Sequence, residues 1–127
     1  MTLRQKQSLF MKLFAEFLVW VHSHPNWETS PGEGFVYKTR TVETIDSKRT
    51  VAKDLIHEPN SLHYEGLAQD INLFLAGEWI SDGGHPTWTE LGVKWESMHP
   101  LCRWGGRFVG KNGVDSNHFS LEHAGRA

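Results

Sequence analysis

Cys102 is the only cysteine in the chain. No internal disulfide can form, and a reducing compartment is the simpler setting for folding. Long apolar runs are missing as well. Lys12 and Glu16 break up the N-terminal segment, which falls short of the roughly 20 largely apolar residues of a membrane span. No small-residue cleavage site follows it, so a soluble chain without a secretory leader is expected. Basic charge is not in surplus: 13 Lys and Arg stand against 15 Asp and Glu, a formal net charge of -2. That balance gives no reason to expect a nucleic-acid binder, whose surface must neutralise phosphates. Arg103, Arg107 and Lys111 form a local basic patch that reads as solvated loop charge. Internal repeats, low-complexity stretches and a dividing linker are absent too, and 127 residues suit one domain spanning 1–127. What is abundant is aromatic bulk, 6 Trp and 7 Phe, enough to build a core.

Leu9, Leu13, Phe14, Phe17, Leu18 and Val21 recur at three- and four-residue spacing, which predicts an amphipathic helix from Leu3 to His24 with Thr2 as its cap. Pro25 stops it, and His22 and His24 read as helix-end residues interacting with the dipole. Residues 26–34, rich in Pro, Gly, Ser and Thr, read as loop. A strand is expected over 34–41, then a short helix and an ordered loop over 43–56. Leu67 to Leu75 reads as a strand that turns at Ala76-Gly77-Glu78 into Trp79-Ile80, a hairpin. After a loop over 81–86, Trp88, Leu91, Val93 and Trp95 predict a second helix over 87–98, closed by Pro100. The tail is irregular from Trp104, then a strand around His118 to Leu121. Periodicity alone gives a mixed α+β chain.

The chemistry-bearing residues lie in Ser61-Leu62-His63-Tyr64-Glu65-Gly66-Leu67-Ala68-Gln69-Asp70 and in Asp115-Ser116-Asn117-His118. His63, Asp70 and His118 supply two imidazoles and a carboxylate. That meets the count of a catalytic zinc site, which takes about three protein ligands and leaves a position open. On a continuous helix His63 and Asp70 would stand roughly 10 Å apart along the axis, too far for one ion. A turn at Gly66, followed by a strand that aims Asp70 inward, removes the problem. His118 must then arrive from a different strand. Asp115, three residues earlier, is placed to accept a proton from an attacking water. Arg40 is a candidate for stabilising carbonyl charge or gripping a substrate carboxylate. Spacing leaves alternatives open. His57, His85, His99 or His123 can replace a ligand, and Glu122 competes with Asp115 as the base. Each chosen residue also has a purely structural reading, Gly66 as a turn, Asp115 as a loop cap and Arg40 as an ion-pair partner.

The pattern Ser61-x-His63-x-x-Gly66-x-Ala68-x-Asp70, with Asp115-x-x-His118, resembles the signature of zinc D,D- and L,D-peptidases that act on bacterial cell-wall peptides. This family includes vancomycin-resistance dipeptidases and carboxypeptidases. Met1 to Gln7, Leu73-Phe74, Trp95 to Phe108 and Asp115 to His123 are similar to its small phage endolysins, the L-alanyl-D-glutamate peptidases. The resemblance covers nearly the whole chain. It implies that His63, Asp70 and His118 bind Zn2+, that Asp115 activates water, and that Arg40 stabilises substrate. Val42-Glu43-Thr44 departs from the Pro-Glu-Gln that usually follows the family's Arg-Thr pair, and residues 42–60 match poorly. The implied fold is α+β, a small antiparallel sheet carrying the zinc site with helices packed around it (Hedgehog/DD-peptidase-like). The implied function is cleavage of the L-Ala–D-Glu amide of peptidoglycan stem peptides during host lysis. The enzyme would be a monomer made in the host cytoplasm and passed to the wall through a holin pore, with no nucleic-acid partner and no stable membrane association. A D-Ala-D-Ala carboxypeptidase or dipeptidase on the same scaffold, and a non-catalytic zinc-stabilised wall-binding module, are the rival readings.

Overall fold

In the computed structural model, residues 1–32, 40–43, 48–51, 61–109 and 113–127 are described, with backbone alone for 40–43 and 48–51. The chain opens with α1, Leu3–His22. Thr2 accepts a hydrogen bond from the Gln5 backbone, and the Gln5 side chain accepts one from the Thr2 N–H, a reciprocal capping box. Phe10, Leu13, Phe17 and Val21 form its buried stripe, while Leu9 and Phe14 pack partly buried beside it. At the far end the His24 ring lies 2.9 Å from the Trp20 carbonyl and His22 contacts Thr29. Both histidines are thus helix-end residues, as expected.

The strands are β1 (Trp27–Pro31), β2 (Arg40–Glu43), β3 (Lys48–Val51), β4 (Ala68–Leu75), β5 (Glu78–Trp79), β6 (Cys102–Trp104) and β7 (His118–Leu121). Together with α2, Pro86–Met98, they give an α+β arrangement. Five strands make a small open antiparallel sheet in the order β1-β4-β7-β6, with β5 also on β4, and β2 pairs with β3 in a separate ribbon. The expected β4–β5 hairpin is present. Its turn residues Ala76 and Gly77 both have positive φ, 52° and 79°, the twist a two-residue hairpin favours.

Two expectations need correction. Residues 27–31 are a strand and not loop: Trp27 to Pro31 pair with Leu75 to Ile71. Their polar Glu-Thr-Ser-Pro composition reflects an edge position, where Pro is tolerated. Within 43–56, expected as a short helix and an ordered loop, Glu43 and Lys48–Val51 are strand, paired in one ribbon; 44–47 and 52–60 lie outside the described residues. Of the strand expected over 34–41, only Arg40 and Thr41 are described, and they are extended. β6, at Cys102–Trp104, was not anticipated.

Both helices pack on one face of the sheet. Trp95 of α2 is fully buried and its indole N–H donates to the carbonyls of Arg103 and Ser120, each at 3.1 Å. Its ring meets Phe17 of α1 edge-on at 5.4 Å, and Phe17 in turn lies 4.9 Å from Phe119 of β7. Because strand side chains alternate, Phe119 faces this core and its neighbour His118 faces the opposite side. Among the described residues no helix is long and apolar enough to cross a membrane.

Candidate metal centre

His63 is held by a single tight turn before β4. The Ser61 hydroxyl accepts from the His63 N–H at 3.2 Å. Gly66 N donates to His63 O and Leu67 N to Leu62 O, the paired bonds that close a helical turn through a left-handed residue. Gly66 is that residue, with φ 69°. The glycine therefore does what its spacing demands: it reverses the chain so that His63 looks back on the start of β4.

Asp70 and His118 are direct cross-strand partners in the β4–β7 register, so their side chains leave the sheet on the same face. Asp70 Oδ1 lies 3.4 Å from His63 Nε2 and 3.3 Å from His118 Nδ1. Ligands at about 2.0–2.1 Å from a tetrahedral zinc stand roughly 3.3 Å from one another, so these separations suit an ion between them. One donor atom from each residue lies within 4.8 Å of the other two, and the two histidines are buried. Asp70 Oδ1 is buried and faces both imidazoles, yet among the described residues it makes no hydrogen bond of normal geometry, a need that an ion between the three side chains would satisfy. Burial pushes the Asp70 carboxyl upward, but His118 and His63 beside it outweigh that and hold it at about 2. The carboxylate is ionised at any pH at which metal would bind. Donor type, distances and ionisation all fit a divalent cation that takes nitrogen and oxygen ligands.

Asp115 lies on the loop before β7, its side chain 48% exposed, with Oδ2 3.9 Å from His118 Nδ1. It is at the rim of the group and does not belong to it. The loop is fixed from behind. Asp115 N donates to Gly105 O and His118 N to Asp115 O. A Cβ on Gly105 would meet Asp115 O at 2.0 Å and His118 Cβ at 2.8 Å, so only glycine allows that approach. Trp104 donates its indole N–H to Ser116 O at 2.7 Å, and its ring lies where a Cβ on Gly92 of α2 would fall. The Ser116 hydroxyl donates to Gly83 O at 2.6 Å.

The competing histidines have other work. The His85 ring caps α2 by accepting from Thr87 N, and the His99 ring accepts from Leu101 N. His123 Nδ1 lies 3.2 Å from Lys6 Nζ, and Glu122 pairs with Arg103 at 3.2 Å. Neither residue joins the three-ligand group. His57 lies outside the described residues. Arg40 opens β2 opposite Val51, and only its backbone is described. The supports supplied by Gly92, Trp104, Gly105 and Ser116 were not foreseen. The signal for them was the aromatic-glycine run Trp104-Gly105-Gly106, where bulk beside absent side chains marks close packing. No family model, curated protein or solved structure matches the chain.

Proposed function

We propose that this protein is a zinc metallopeptidase of the Hedgehog/DD-peptidase-like kind. It hydrolyses the L-Ala–D-Glu amide of peptidoglycan stem peptides and serves as a phage endolysin, reaching the wall with holin assistance. The observation that carries the reading is the meeting of His63, Asp70 and His118 at ion-coordinating separations, from two segments whose residues resemble that family's signature. Two imidazoles and one carboxylate leave a fourth position free, as catalytic rather than structural zinc requires. Zinc there would supply Lewis acidity and make a water acidic enough to ionise near neutral pH.

The chain's own groups account for the remaining tasks. Asp115, half exposed and 3.9 Å from His118, takes the proton of the attacking water and returns it to the departing amine. Asp70, kept ionised, balances the charge of the cation. Arg40 is assigned to the negative charge that develops on the carbonyl oxygen. The test is digestion of purified peptidoglycan with mass spectrometry of the fragments, with and without a chelator. New fragments with a free D-Glu amine are expected, abolished by chelation and restored by zinc. Release of free D-Ala would transfer the protein to the carboxypeptidases, and intact peptidoglycan with metal-loaded protein would overturn the assignment.

A further inference from the structure

Beside the metal group lies a cleft of about 520 Å³ between the segment that follows β4 and the loop that carries Asp115. Asn72, Trp79, Trp88, Asp115, Ser116 and Asn117 are among its walls. Resting on the peptidase reading above, we infer that this cleft receives the N-acetylated sugar attached to the amino side of the scissile L-alanine, with Trp79 as the surface on which the ring stacks.

Three observations carry the inference. The first is charge. Among the described residues no lysine or arginine lines the cleft, and its one ionisable wall residue is the acid Asp115. The amino-acid side of the bond carries carboxylates, which such a cleft repels; the sugar side is neutral and rich in hydroxyl and amide groups. Asn72, Ser116 and Asn117 offer partners of that kind. The second is Trp79, paired across β5 with Phe74 and 60% exposed. A large indole left in solvent at the wall of a cleft is a binding surface in waiting, because the polarised C–H face of a pyranose packs on its electron-rich face. The third is reach. Phe74 is four residues beyond Asp70 on β4, about 13 Å along the strand. One residue and the lactyl ether together span about 7 Å from the reacting carbonyl to the near edge of the sugar, and the ring itself covers most of the distance left within the cleft that Asp115 and Trp79 both line.

The test compares N-acetylmuramyl-L-alanine with L-alanine alone as ligands by calorimetry, on zinc-loaded and on chelated protein. The sugar-bearing compound is expected to bind at least about tenfold more tightly in both states, with Trp79→Ala removing most of that difference and Trp79→Phe restoring part of it. In kinetics, a muramyl peptide is expected to show a KM about tenfold below that of the same peptide without sugar, and the ratio should fall toward one in Trp79→Ala. Equal binding of the two ligands, or a Trp79→Ala variant with wild-type preference, would overturn the inference. Failure of the two readings is separable: sugar binding without cleavage of either peptide removes the peptidase reading and keeps the cleft, whereas equal cleavage of both peptides does the reverse.

Discussion

Asp70 is a carboxylate in a largely buried place, and its behaviour decides much of the chemistry at this centre. Its pKa falls from the ordinary 3.8 to about 2 because two imidazoles outweigh the cost of burial. A depressed carboxyl stabilises the folded state fully above the ordinary value and loses that contribution as the pH drops toward about 2. In metal-free protein, Asp70→Asn should therefore lose less stability than wild type between pH 5 and pH 2, read from urea midpoints at each pH. Metal affinity has a different limit. Ligand nitrogens must be unprotonated to coordinate, so zinc affinity should fall as the solution is acidified, and equilibrium dialysis at a series of pH values measures it. His63→Ala should lose zinc and activity together, whereas Asp115→Ala should keep zinc and lose turnover by about 10²–10⁴-fold, the usual scale for a general base. Metal analysis beside a peptidoglycan assay separates the two, and Glu122→Gln, removing only a partner of Arg103, should leave both readouts near wild type. Cys102 is buried and its thiol is pushed up to about 12, chiefly by desolvation. Ellman's reagent at pH 8 should find it unreactive until urea unfolds the chain.

The loop that carries Asp115 depends on glycines more than on its own sequence. Gly105→Ala forces a methyl group into the Asp115 carbonyl. That should cost about 1–3 kcal/mol of stability, the range for inserting bulk into tight packing, and should lower activity beyond what the stability loss explains. Denaturant curves and assays on the folded fraction distinguish those effects. The β4–β5 turn offers the opposite change. Ala76 sits at φ 52°, a region that is costly for alanine and tolerated by asparagine, so Ala76→Asn should stabilise by about 1 kcal/mol. At this scale the legibility of the chain was uneven for physical reasons. α1 and α2 were readable because their apolar spacing matches one period over many residues, and the hairpin because Gly77 marks its turn. β1 was not, because an edge strand of Glu, Thr and Ser needs no apolar alternation and is defined by its partner. β6 is three residues long, too short for any pattern. The turn at Gly66 was readable from local sequence, while the pairing of Asp70 with His118 is a property of register between segments 48 residues apart.

At the level of the whole molecule, the three ligands come from a turn, a central strand and a strand near the end of the chain, so any ion they hold ties the two halves together. A ligand that binds only the folded form adds RT ln(1 + [L]/Kd), about 2.7 kcal/mol at a hundredfold excess over Kd. For a chain of 127 residues that corresponds to a rise in Tm on the order of 10 °C. Calorimetry with zinc and with excess chelator should show that rise and its reversal, and an unchanged Tm would argue against a site at these residues. The antiparallel alignment of Asp70 opposite His118 has one further consequence. Shifting either strand by a single position turns one of the two side chains to the other face of the sheet. A misaligned chain then has no complete set of donors, and an ion held there would act as a proofreader of strand pairing: the ion content of a preparation would count the molecules that have zipped up in the right order.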